Sequence, residues 1–221
     1  MAAEAAVGGR QPLPELGSVY WRPVVSDRTL RRSGRLWTLS AAAHTIPLLA
    51  AAVGLAVLNP ITIPVGLILI VHAWVIPELY AARGAGVVRR RRSITSGPEL
   101  VALGLLGDLV AHDARAFLGR SGLVIERGKL GVWLVAEAGA LLVRPGARRV
   151  NCYCVRTTDP DLPPADRISH LLLALRADET GFATVANMAF SGAPWRLRRR
   201  LPPERREALA VAVREARTLR S

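Results

Sequence analysis

The side chains best suited to nucleophilic, acid–base or metal chemistry are few: four histidines, two cysteines and a single lysine, Lys129. Asp108 and His112 stand four apart, the spacing that puts two side chains on one face of a helix, and Asp113 follows. These three are the acid–base candidates, against the simpler reading of a solvated helix face. Cys152 and Cys154 alternate with Tyr153 and project to one side of a strand. With His112 or His170 they would offer zinc ligands, but zinc knuckles space their cysteines by two residues and come in pairs. Two small core residues, no metal and no cofactor are the expectation.

Other constellations fail on spacing. Gly122 and Gly128-Lys129 enclose five residues where a phosphate loop has four, and Leu130 replaces the hydroxyl that would meet magnesium. Arg127-Gly128 reads instead as a hairpin turn. Glu126 and Lys129 fall on opposite faces of a strand, which disfavours a metal-dependent nuclease. No Gly-x-Ser-x-Gly elbow occurs.

Three polar residues, His44, His72 and Glu78, lie in two otherwise apolar runs, 39–58 and 61–82. At about 1.5 Å per residue each run makes a helix of roughly 30 Å, the thickness of a bilayer's hydrocarbon core. Asn59-Pro60 forces a turn between them. The expected unit is therefore a transmembrane helical hairpin over 37–82. Neither run shows the polar face that a soluble helical hairpin would need. Ionisable groups within such spans are functional suspects, although conduction through one hairpin would require an oligomer. Hydrogen bonding inside the hairpin, with Glu78 meeting Arg83, is the simpler role. Ala50, Gly54, Ala52 and Ala56 place small residues at spacings that suit close helix packing or homo-oligomerisation.

The net charge is +13, carried almost wholly by arginine, a bias that fits GC-rich bacterial coding. Arg28, Arg31, Arg32 and Arg35 precede the first span. Arg83, Arg89, Arg90, Arg91 and Arg92 follow the second, and the turn has no cation. The positive-inside rule then places both termini in the cytoplasm of a multi-pass cell-membrane protein. Trp37 and Tyr80 fall at the inner interface. Arg89, Arg90, Arg91, Arg92, Arg196, Arg198, Arg199 and Arg200 are the candidates for contact with anionic lipid headgroups or a protein partner. With one aromatic, Trp195, near the C-terminal cluster, nucleic acid is not the expected partner.

The remaining boundaries follow from texture. Residues 1–36 read as an irregular cytoplasmic arm, 83–97 as a basic juxtamembrane linker, and 98–221 as a cytoplasmic α+β domain able to fold without the hairpin. In that domain Glu99 to Leu118 has helical periodicity. Short β-rich runs at 123–126, 130–136, 140–144 and 149–156 are punctuated by turn residues and predict an antiparallel meander flanked by helices. Residues 168–175 fit a helix capped by Asp166, with a strand as the alternative, and 182–190 fits a returning strand. Pro202-Pro203 opens a basic C-terminal helix. The functional expectation is a non-enzymatic binding or scaffolding module at the inner membrane face. The alternative is a membrane-anchored enzyme acting on a phosphate-bearing or lipid substrate.

Overall fold

The structure, a computed structural model, describes residues 12–89, 97–155, 159 and 161–219. Two long helices form a hairpin. The first, α1 (Asp27–Leu58), begins well before the apolar run, inside the segment read from sequence as an irregular arm. Its start is fixed by a reciprocal cap: the Thr29 amide donates to Ser26 Oγ and the Ser26 amide to Thr29 Oγ1. Ahead of it, Pro14–Val19 makes a short 3₁₀ turn. Arg22 then donates to the backbone carbonyls of Thr184, Val185 and Ala186, so this arm is tied to the domain. The turn falls where Asn59-Pro60 predicts it. Asn59 Oδ1 accepts from the Ile61 amide, and Thr62 Oγ1 donates to the carbonyls of Leu55 and Asn59. These bonds satisfy the helix end locally. The second helix, α2 (Ile63–Gly86), returns antiparallel. Pro47 and Pro77 sit inside the two helices without interrupting either.

After α2 come α3 (Gly97–Leu109) and α4 (His112–Ser121), then the strands β1 (Val124–Arg127), β2 (Val132–Ala136), β3 (Gly139–Val143) and β4 (Val150–Cys154). Helices α5 (Pro164–Ala177) and α6 (Glu179–Val185) precede β5 (Asn187–Gly192), and α7 (Pro194–Arg200) and α8 (Pro203–Thr218) complete the chain. The five strands form one antiparallel sheet in sequential order, with a register shift at Cys152/Tyr153 where β5 joins. Residues 168–175 are helical, with Asp166 in the first turn rather than at the cap. The 182–190 segment divides into the end of α6 and the start of β5.

Alternation along the strands feeds two separate cores, so β2 and β3 are apolar throughout. Trp133, Val135, Leu142 and Tyr153 face Leu106, Ile168, Leu172 and Phe182 from α3, α5 and α6. Leu134, Leu141, Val150 and Cys152 face Leu197, Ala208, Leu209 and Ala212 from α7 and α8. Glu179 ties the first core to the β1–β2 turn. Its carboxylate accepts from the amides of Lys129 and Leu130 and from Trp133 Nε1, at 2.6, 3.0 and 2.6 Å.

The hairpin enters both cores. Leu30 of α1 belongs to the first. Ala81 and Ala85 of α2, with Val87 and Val88 just beyond it, belong to the second. The linker expected to start at Arg83 is thus helix to Gly86 and buried core at Val87 and Val88. A fragment starting at Gly97 would lack Ala81, Ala85, Val87 and Val88, which share the second core with α7 and α8. Contact is closest at Gly84, where a Cβ would lie 2.6 Å from Phe190 Cβ and 3.1 Å from Cys152 Sγ. Gly84→Ala is expected to cost about 1–3 kcal/mol by overpacking. Gly54→Ala, whose Cβ would meet nothing within 4 Å, should be neutral. Thermal unfolding in detergent checks this: only the Gly84 variant should melt lower.

Candidate functional site

Asp108 and His112 are not brought together on one helix. The helix expected over Glu99 to Leu118 is broken, because Ala111 is extended and α4 starts anew at His112. Arg176 Nη1 donates to the Leu109 carbonyl and so closes the end of α3. Asp108 and His112 therefore do not share a helix face. Asp108 meets Arg115 at 3.4 Å on the surface, and His112 is exposed. The Asp113 side chain lies outside the described residues. Cys152 is wholly buried, and burial pushes its thiol well above the ordinary range, so it is held as an unreactive thiol. Among the described residues no three His, Cys, Asp or Glu side chains converge to hold a metal ion.

The polar groups of the hairpin take local roles. His44 Nδ1 lies 2.6 Å from the Ser40 carbonyl and His72 Nδ1 lies 2.8 Å from that of Ile68, each on its own helix and exposed. Glu78 is different. It does not pair with Arg83; it is buried and accepts from Arg200 Nε and Nη2 at 3.0 and 2.7 Å. Both bonds fall on the one oxygen Oε2, and the pair ties α2 to α7. At the other edge, Arg144 reaches Asp27 at the start of α1, and Arg31 shares the same carboxylate. Burial alone would raise the Asp27 carboxyl, but the hydrogen bonds and charges of the two arginines hold it below the usual range.

A concave feature lies between these anchors. A cleft of about 560 Å³ is bounded by α1 and α2 on one side and by β5, the start of α7 and the β3–β4 turn on the other. Ala41, Thr45, Ala73 and Trp74 line its hairpin end, and Arg148, Arg149 and Arg196 its domain end. Trp37 packs edge-on against Tyr80, with ring centres 5.6 Å apart, and against Phe190 at 6.1 Å. Arg149 donates to Thr38 Oγ1 at 2.8 Å and to Ser191 Oγ at 3.3 Å. Burial depresses its guanidinium below the ordinary value. Gly34 makes room for it: a Cβ there would lie 3.0 Å from Arg149 Cδ and Nε.

Of the expected basic contacts, Arg89, Arg198 and Arg199 are exposed, and Arg90, Arg91 and Arg92 lie outside the described residues. The guanidinium carbons of Arg196 and Arg199 stand 5.2 and 5.4 Å from the centre of the Trp195 ring. None of the clefts described is lined by Asp108, His112 or either cysteine. Sequence reasoning missed the role of Arg148, next to the Pro145-Gly146 turn, and of Arg149, which read as the start of the fourth strand, and it missed the α7 helix that delivers Arg200 to Glu78. No family model, characterised protein or solved structure matches this chain.

The Glu78–Arg200 pair makes a specific prediction. Arg200→Met strands a buried carboxylate and should cost about 1–3 kcal/mol. Adding Glu78→Gln should recover part of that loss, because the double variant leaves no uncompensated charge. Unfolding of the two single variants and the double variant in detergent gives the coupling directly; additive losses would show that the two side chains do not interact.

Proposed function

We propose that the chain is a two-pass protein of the cell membrane whose α+β domain serves as a non-enzymatic binding or scaffolding module at the inner face, with both termini cytoplasmic. The observation that carries this reading is the continuity of α2, an apolar helix that ends as part of the domain's core. Both hairpin helices are long and apolar enough to cross a bilayer, yet only 6% and 11% of their apolar windows are buried by the rest of the protein. A soluble core helix of that composition would be covered by protein; here lipid supplies the missing cover. A helix shared between membrane and domain fixes the domain's height and tilt, which a module presenting a surface at the bilayer needs and a freely diffusing domain does not.

The arginine distribution supports the orientation. Cations flank the domain ends of both helices and are absent from the Asn59-Pro60 turn. The enzymatic alternative would use the interfacial cleft, but the carboxylate lining it, Glu78, is engaged by Arg200 and poorly placed to move protons.

Topology is tested with single cysteines at Ile61, exposed in the turn, and at Glu204, exposed on α8, after replacing Cys152 and Cys154. In intact cells a membrane-impermeant thiol reagent should label Ile61→Cys and spare Glu204→Cys until the cells are opened. The opposite pattern would invert the proposed orientation, and recovery of the full chain in the soluble fraction would end the membrane reading.

A further inference from the structure

The cleft between hairpin and domain has a charge imbalance that the fold does not resolve. Arg144, Arg176 and Arg200 each meet a carboxylate. Arg149, half-buried at the cleft, bonds only neutral oxygens among the described residues, those of Thr38 and Ser191. Holding a guanidinium partly out of water without a counter-ion is costly, and its remaining N–H donors suit an anion with several oxygens. Arg148 and Arg196 line the same end. The one carboxylate in the lining, Glu78, is already neutralised by Arg200. The domain end of the cleft therefore carries a net positive charge.

The opposite end is mostly apolar, and the hydroxyl of Thr45 there already donates to the Ala41 carbonyl. Ala41 and Ala73 line it where the two helices leave the domain, and Trp37 and Tyr80 mark the transition. If the hairpin spans the membrane, this transition coincides with the bilayer's inner interface, where aromatic rings are favoured. A ligand that satisfies the whole cleft has an anionic, oxygen-rich head and an apolar tail leading into the bilayer. A volume of about 560 Å³ suits a headgroup and the first part of its chains.

We propose that this cleft is a binding site for the phosphate of an anionic phospholipid, held by Arg148, Arg149 and Arg196 with its acyl chains along α1 and α2. The inference rests on the membrane reading above and assigns that reading a ligand. Arg149 is the central donor because Gly34 and Thr38 of α1 fix its approach, so the site exists only when hairpin and domain are joined. It differs from diffuse attraction of the arginine-rich surface to the leaflet, which would depend on total charge and not on these three positions.

The test uses the full chain extracted from membranes in mild detergent, with retained lipid counted by native mass spectrometry. Membrane fractionation of the same preparation tests the membrane reading separately: a chain in the soluble fraction defeats that reading, whereas a membrane-bound chain retaining no lipid defeats only the site. The wild-type protein should retain phosphatidylglycerol in preference to diacylglycerol. Arg148→Gln/Arg149→Gln should lower retention about tenfold, the change expected from roughly 1.4 kcal/mol of lost charge-assisted bonding. Arg214→Gln/Arg217→Gln removes the same charge from exposed positions outside the cleft and should leave retention unchanged. Arg148→Gln alone, at an exposed residue, and Arg149→Lys, which keeps the charge, should each show a smaller loss in protein that melts like wild type. Equal loss from both charge-neutralising pairs would replace the site with diffuse attraction. Displacement of the lipid by millimolar inorganic phosphate would make free phosphate the ligand and overturn the lipid assignment.

Discussion

The architecture depends on the close approach of α2 to the sheet at Gly84. Helices normally stand off a sheet by the thickness of two side-chain layers. With no side chain on Gly84, the helix backbone settles onto Phe190 and Cys152 instead. That contact lets Ala81, Ala85, Val87 and Val88 complete the second core, so the last turns of the hairpin become part of the domain. The other junctions follow from this placement. Glu78 lies six residues before Gly84 on the same helix and meets Arg200 of α7. Trp37 of α1 reaches Phe190, the same residue that packs under Gly84. Asp27 and Arg144 close the far edge.

Much of the architecture was legible in the sequence, because long apolar runs, turn residues and strand alternation are local signals. The hairpin runs, the Asn59-Pro60 turn, the first four strands and the final helix lie within a few residues of their expected positions. What was not legible depends on partners distant in the chain. An apolar run marks the stretch suited to lipid and not the ends of the helix: the run starts at Leu39, the capped helix at Asp27. The basic segment after the second run resembled a linker because glycine and arginine are abundant in it. Burial of Val87 and Val88 follows only from the sheet they meet. The break between α3 and α4 contains neither glycine nor proline, so nothing local announced it; Arg176 closes α3 from 67 residues away.

The candidate site was the least legible part. Arginine is the default cation of this chain, and local sequence does not separate the guanidinium that pairs with Glu78 from those facing solvent. Pairing in the fold does separate them. Arg144, Arg176 and Arg200 are held by carboxylates, Arg22 caps α6, and Arg149 lies in a cleft without one among the described residues. The pairing of Asp108 with His112 rested on one continuous helical register, which the Ala111 break removes. The junction between hairpin and domain thus brings side chains of both parts together, at the cleft and at the Glu78–Arg200 pair.

The central claim is that α2 passes without a hinge from the apolar hairpin into the domain's core. Amide hydrogen exchange of the full chain in detergent, read over residues 79–88 against β3 and β4, tests it most directly. Protection of 79–88 comparable to that of the central strands, lost together with theirs on unfolding, is the predicted result. Rapid exchange of 79–88 while β3 and β4 remain protected would show a flexible tether and contradict the account.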